Sequence, residues 1–294
     1  GIDGINDAKT VCINDAIWTE ELENSNTSSY QCPEDNKRSP TFVIKRMYNK
    51  IQESGGHIVG ESIDLWMRRI TEGHEEDVFV TNASFGDFMD HSDRDGNRHY
   101  ITNNIGNFEK PVVLIPIGGT RSTGHWSLLI LLNVFTKSPN PEQQKKKNTR
   151  SGKDETKHRN PTIIHIDSTK GADGDNEIHQ FQFVFRFVEC IRQCIGKRMS
   201  LYEVNWIVPG YLPTQSKTDC GVFTCKHAHS VIKNRSELSK CENVEEILKD
   251  SKDFNFANAK DRDAIDSEIR RIRTSFAITI NSMSRMDKRQ YEFD

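Results

Sequence analysis

The chain has 294 residues, enough for one large domain or two small ones with a sizeable buried core. Charged residues make up 28% and hydrophobic ones 34%, and a net charge of -3 singles out no class of partner through the whole-chain field. No apolar run approaches the ~20 residues of a membrane span, and residues 1 to 10 have neither the basic nor the apolar part of a secretory signal.

Residues 1–50 read as an extension: 1 to 40 are polar, and Asn24 to Ser29 and Pro33 to Pro40 have loop composition. A single α+β domain is expected over 51–294. Gly55, Gly56 and Gly60 interrupt its first stretch, after which Ile63, Trp66, Met67 and Ile70 fall at helical spacing. Asn82 to Met89 is apolar enough to pack but short, and His91 to Asn107, rich in Asp, Asn and Gly, reads as an exposed connection. Pro111 to Ile117 is expected to be a strand, with Trp126 to Asn133 its neighbour across a turn at Gly118-Gly119.

Residues 136–160 form a low-complexity insertion with eight basic residues against three acids. That composition suits a solvated loop; its sharper reading is a basic arm for an acidic partner. Thr162 to Asp167 is the third expected strand. Phe181, Phe183, Phe185 and Phe187 alternate like a strand, yet Phe181, Val184, Phe185, Val188, Ile191 and Ile195 also share one helical face, and the length favours the helix. Asn205 to Val208 is the fourth strand, ended by Pro209. A helix opens near Cys220. The tail holds an amphipathic helix through Ile265, Ile269, Ile272, Phe276 and Ile280, with acids early and arginines late, as the helix dipole prefers.

The stretch LPTQSKTDCGVF, residues 212 to 223, places a cysteine after polar residues and at the start of a helix, where a thiol can react rather than pack. The thiolate is the nucleophile, and a helix N-terminus or a nearby imidazole favours it. A cysteine nucleophile therefore calls for a histidine and a group to orient that histidine. His125 stands at the mouth of an apolar strand, and Asp167 ends another. Each has a bland alternative, a surface histidine and an Asx-turn. His165 is the second candidate base, two residues before Asp167 and so on the same sheet face. His227 and His229 are expected on packed or exposed helix faces, Cys225 in the core, and Cys190 and Cys194 as helix packing. Seven cysteines are scattered without Cys-x-x-Cys spacing, which points to a reducing compartment, nucleus or cytoplasm, rather than to a disulfide framework.

GHWSLLILL, IIHIDSTKG and LPTQSKTDCGVFTCKHA, in that order, resemble the Ulp/SENP class of ubiquitin-like-protein-specific cysteine proteases, relatives of adenovirus protease. GESIDLWMRRI and DVFVTNASFGDF look like the opening segment of that class. The resemblance spans about residues 55 to 232. It implies a papain-like fold of the Ulp/adenain type, a central mixed sheet flanked by helices with the nucleophile at a helix N-terminus. It further implies Cys220 as nucleophile, His125 as base, Asp167 as its orienting partner, and Gln215 with the Cys220 backbone N–H as oxyanion hole. Trp126, Asp219 and Gly221 would line the channel for the substrate's glycine tail. The implied substrate is a ubiquitin-like modifier, SUMO or a relative, in precursor form or conjugated to target proteins. The implied enzyme is a monomer needing no metal or organic cofactor, no nucleic acid and no membrane. YopJ-type acetyltransferases use the same three residue types and are the alternative, followed by a non-catalytic modifier-binding module. Gln215 stands five residues before Cys220, one fewer than the family spacing, and Ile58 occupies the place of a tryptophan found in several relatives.

Overall fold

Strands β2 (Val112–Gly118) and β3 (Trp126–Leu132) form the centre of a mixed five-stranded sheet in the order β1-β2-β3-β4-β5. They are antiparallel, as is β3 with β4 (Thr162–Ile166). The short outer strands β1 (Val78–Val80) and β5 (Asn205–Ile207) run parallel to β2 and β4. The computed structural model describes residues 58, 60–83, 85, 94–118, 125–136, 161–168, 174–197, 200–201, 204–209, 212–213, 218–256 and 261–286. Residues 1–50 and the basic stretch from 137 to 160 lie outside that set.

The central strands are apolar at nearly every position because both sheet faces are covered. Leu114, Leu128, Ile130, Leu132, Ile164 and Ile166 face one core, shared with α1 (Gly60–Thr71), α5 (Cys220–Lys233) and α8 (Arg262–Met286). Val113, Ile115, Leu129, Leu131 and Ile163 face a second core, shared with α2 (Arg94–Asn103), α3 (Ile105–Phe108) and α4 (Gly174–Ile195). The alternation of a pleated strand thus sends successive side chains into different cores.

The helix expected near 181–195 is present and longer, and Val184, Phe187, Val188 and Ile191 bury its inner face. The expectation of an exposed connection over His91 to Asn107 is corrected. Residues 94–108 are the helices α2 and α3, with Ile101 and Phe108 fully buried. Their polar composition hid a sparse apolar stripe, Tyr100–Ile101 and Phe108 at helical spacing. Phe108 packs edge-on to Phe79 at 5.2 Å and beside Phe85 at 5.9 Å. β1, α6 (Arg235–Leu238) and α7 (Val244–Asp250) were not anticipated; each is too short to carry a periodic signal of its own.

Three helices are tied together over the first core. The Trp66 indole N–H donates to the Cys225 carbonyl oxygen at 3.2 Å, joining α1 to α5. The Trp66 ring meets Phe276 of α8 at 4.7 Å in an edge-to-face contact. Asp261 accepts from the Ala264 N–H at 3.0 Å and caps the start of α8, whose Ile265, Ile269, Ile272 and Phe276 are buried. Among the described residues, no helix is long and apolar enough to cross a membrane.

Candidate active site

His125 lies one residue before β3 and Asp167 one residue after β4, so the antiparallel pairing brings them to the same end of the sheet. His125 Nε2 lies 2.8 Å from Asp167 Oδ1. Both side chains are largely sheltered, with 22% of the imidazole and 7% of the carboxylate exposed. The imidazole also hydrogen-bonds with the Cys220 side chain. With Nε2 given to the carboxylate, Nδ1 is the ring atom left for the sulfur. The three residues therefore form one array.

Burial by itself pulls the His125 imidazole down. Hydrogen bonds to Asp167 and to Cys220, and the negative charge of each, more than offset this and raise it to about 9. The ring is consequently protonated at neutral pH when the sulfur is a thiolate. A thiolate–imidazolium pair is a ready nucleophile with its proton donor in place.

Cys220 is the first residue of α5 and only 2% exposed. The helix's partial positive charge favours an anion there. At Cys225, five residues on, full burial pushes the thiol well above the ordinary range. It belongs to the core, as expected. All five described cysteines are free thiols.

His165 sits inside β4, where the pleat holds it in the face away from α5. It is buried and its Nε2 lies 3.0 Å from Ser127 Oγ. The premise that it shares a face with Asp167 fails because Asp167 is already beyond the strand. The same freedom lets His125 leave the alternation that Ser127 and Leu129 obey. His227 is fully buried between the rings of Phe223, Phe254 and Phe256, and burial lowers it to about 3.

Trp126 spans the starts of two helices. Its indole N–H donates to the Ile58 carbonyl oxygen at 3.0 Å. A Cβ on Gly60 would lie 3.5 Å from its ring, and one on Gly221 would also lie 3.5 Å from it. At Gly221 that Cβ would meet the Ile58 Cβ at 2.9 Å, so only glycine fits without displacement. Of the three residues the resemblance puts on the channel, Trp126 is part-exposed, whereas Gly221 is buried in this packing. The Asp219 carboxylate is bound by Arg273 of α8, through Nε at 2.8 Å and Nη2 at 2.5 Å. Gln215 lies outside the described residues.

Arg273 was not singled out in the sequence, although a signal exists. It falls four residues after Ile269 and three before Phe276, on the buried face of an otherwise amphipathic helix. An arginine there must find a partner. Among the described residues, no group of three His, Cys, Asp or Glu could hold a metal ion.

A family model described as the Ulp1 protease family, C-terminal catalytic domain, matches residues 57–270. Solved structures share the fold at low identity. A SUMO protease Ulp1 whose catalytic cysteine is oxidised to a sulfonic acid is 15% identical, with a TM-score of 0.51 over 81% of this chain and 84% of that one. A de-sumoylating protease matches with 15% identity and a TM-score of 0.51, covering 83% of this chain and 88% of its own. No curated protein sequence matches the chain.

Proposed function

The chain belongs to the Ulp1 family of cysteine peptidases, and on that footing we propose that it cleaves after the C-terminal glycine of a ubiquitin-like modifier, SUMO being the first candidate. The array of Cys220, His125 and Asp167 at one end of the sheet is the observation that supports this reading. The Cys220 thiolate attacks the carbonyl carbon of the scissile bond, and the imidazolium of His125 gives its proton to the departing amine. Water, deprotonated by the now neutral His125, then hydrolyses the thioester, which expels the Cys220 thiolate and restores the thiolate–imidazolium pair. Asp167 keeps the ring oriented and its positive charge favoured through both steps. In this reading the Cys220 backbone N–H and Gln215 receive the developing oxyanion. Trp126, beside the base and partly exposed, forms one wall for a glycine tail, where larger side chains would collide.

SUMO is favoured as the first candidate because two solved structures that share this fold are named for action on it. The reading covers both precursor processing and release from conjugates, since each breaks an acyl bond after the same glycine. The test is a panel of modifiers, SUMO and ubiquitin among them, each bearing a C-terminal electrophile. Covalent capture of the SUMO probe at Cys220, read by intact mass, is expected. Capture of a different modifier alone would replace the substrate; capture of none, with acetyl transfer from acetyl-CoA to Cys220, would replace the reaction.

A further inference from the structure

Asp219 occupies the residue before the nucleophile, where an aspartate ordinarily caps a helix by accepting from its first backbone N–H groups. Its side chain makes no such bond, and its backbone (φ -96°, ψ 8°) is not the extended form of an ordinary cap. The carboxylate is instead turned to Arg273, whose Nε and Nη2 both donate to Oδ1. Arg273 is 5% exposed, so its guanidinium is held away from water, and the Asp219 carboxylate is partly sheltered. Helix α8 is itself anchored one turn later, where Phe276 packs on Trp66, the residue that binds the Cys225 carbonyl. Helix α8 thus grips α5 at its start through Asp219 and further along through Trp66.

Arg273 lies three residues beyond the segment that the family model matches. We propose that Arg273 is a positioning residue for the peptidase reaction: it sets the backbone ahead of Cys220 and cancels the Asp219 charge on the residue before it. The proposal rests on Cys220 being the nucleophile. It does not depend on which modifier is cleaved. An uncompensated carboxylate on the residue before Cys220 opposes formation of a second negative charge on the sulfur. Removal of Arg273 therefore disfavours the reactive ion pair even where the fold survives. Removal of both partners eliminates the repulsion.

The test measures the rate of Cys220 alkylation by iodoacetamide against pH, a reaction that requires no modifier. It is run on the unaltered protein, Arg273→Met, Arg273→Lys, Asp219→Asn and the double variant Asp219→Asn/Arg273→Met. Thermal denaturation of each accompanies it. Arg273→Met is expected to move the midpoint of the profile up by about one pH unit and to lower kcat/KM on a Gly-Gly peptide about tenfold. The double variant returns the midpoint to that of the unaltered protein. Arg273→Lys, which keeps the charge but loses the two-donor contact, keeps the midpoint while kcat falls. Superimposable profiles for Arg273→Met and the unaltered protein would overturn the proposal, as would a double variant shifted as far as the single. Should Arg273→Met fail to fold, Arg273→Lys and the double variant decide: a midpoint moved upward in either overturns it, and unchanged midpoints support it.

Discussion

Replacing Asp167 with Asn leaves a side chain of nearly the same shape at His125 but removes its charge. Asp167 supplies the leading upward push on the imidazole, against a burial that the substitution does not relieve. The raised value of about 9 stands 2.5 above the ordinary 6.5. That difference corresponds to about 3 kcal/mol favouring the protonated ring. Loss of the carboxylate returns the imidazole to the neutral range, about two pH units lower. Since the ion pair is the reactive form, the alkaline limb of kcat/KM should move from about 9 down toward 7, the thiol and imidazole titrating as a unit. At pH 8 the activity should fall about 100-fold or more, because orientation of the ring is weakened as well. The measurement is kcat/KM on a short peptide ending in Gly-Gly between pH 5 and 10, beside alkylation of Cys220 over the same range. Stability provides a second reading with a definite sign. A histidine raised on folding contributes fully below 6.5, and that contribution fades as pH rises through about 9. The variant should therefore be less stable at pH 6 and nearly matched to the unaltered protein at pH 10. An alkaline limb that stays near 9 in Asp167→Asn would refute the assignment of Asp167 as the source of the charge.

Cys220→Ala should abolish cleavage and probe capture with little loss of stability, and His125→Ala should be nearly as severe. His165→Ala should lower the melting temperature, through its lost bond to Ser127, and leave kcat within a few-fold; the reverse pattern would exchange their roles. His227→Leu should flatten the acid side of the stability profile. The native ring, lowered to about 3, resists the proton that the unfolded chain takes up, so stability is full above 6.5 and declines as pH falls toward 3. By pH 5 that loss is about 2 kcal/mol, readable by urea denaturation at pH 7 and 5. Gly221→Ala should cost about 1–3 kcal/mol by driving a methyl into Ile58, and a variant as stable as the original would discount that contact. Deleting Ser138 to His158 should leave peptide hydrolysis unchanged; a slower reaction with full-length modifier only at low salt would identify the basic stretch as an electrostatic guide.

The central strands and the long helices were readable because each carries its own periodic pattern. β2 and β3 begin or end within one residue of where their apolar runs do, and α8 follows its Ile265–Phe276 stripe. The segment from 94 to 108 was not readable, since few of its residues are apolar and the stripe becomes meaningful only against Phe79 and Phe85. Single side chains divide similarly. Cys220 announced itself by polar residues ahead of an apolar helix. Asp219 and Gly221 did not reveal their partners, Arg273 and Ile58, because those lie 54 and 163 residues away in the chain.

A sheet buried on both faces explains where the chemistry can be. Within β2, β3 and β4 a side chain of either parity enters an apolar core, and an ion pair there would carry a large desolvation cost. Polar groups described inside these strands meet one another, as Ser127 and His165 do at 3.0 Å. Charge is tolerated one step beyond the strands, where His125 and Asp167 escape the pleat and reach partial solvent. The position of α5 then follows from the same constraint. Its start approaches that end of the sheet because Gly221 allows Ile58 and Trp126 into contact with it, and that approach brings Cys220 to the imidazole. A bulkier residue at 221 would push Cys220 away from the His125 imidazole before it disturbed the sheet. Gly221→Ala should accordingly lose proportionally more alkylation rate at Cys220 than melting temperature, and equal loss in the two would mean that the close packing serves the fold alone.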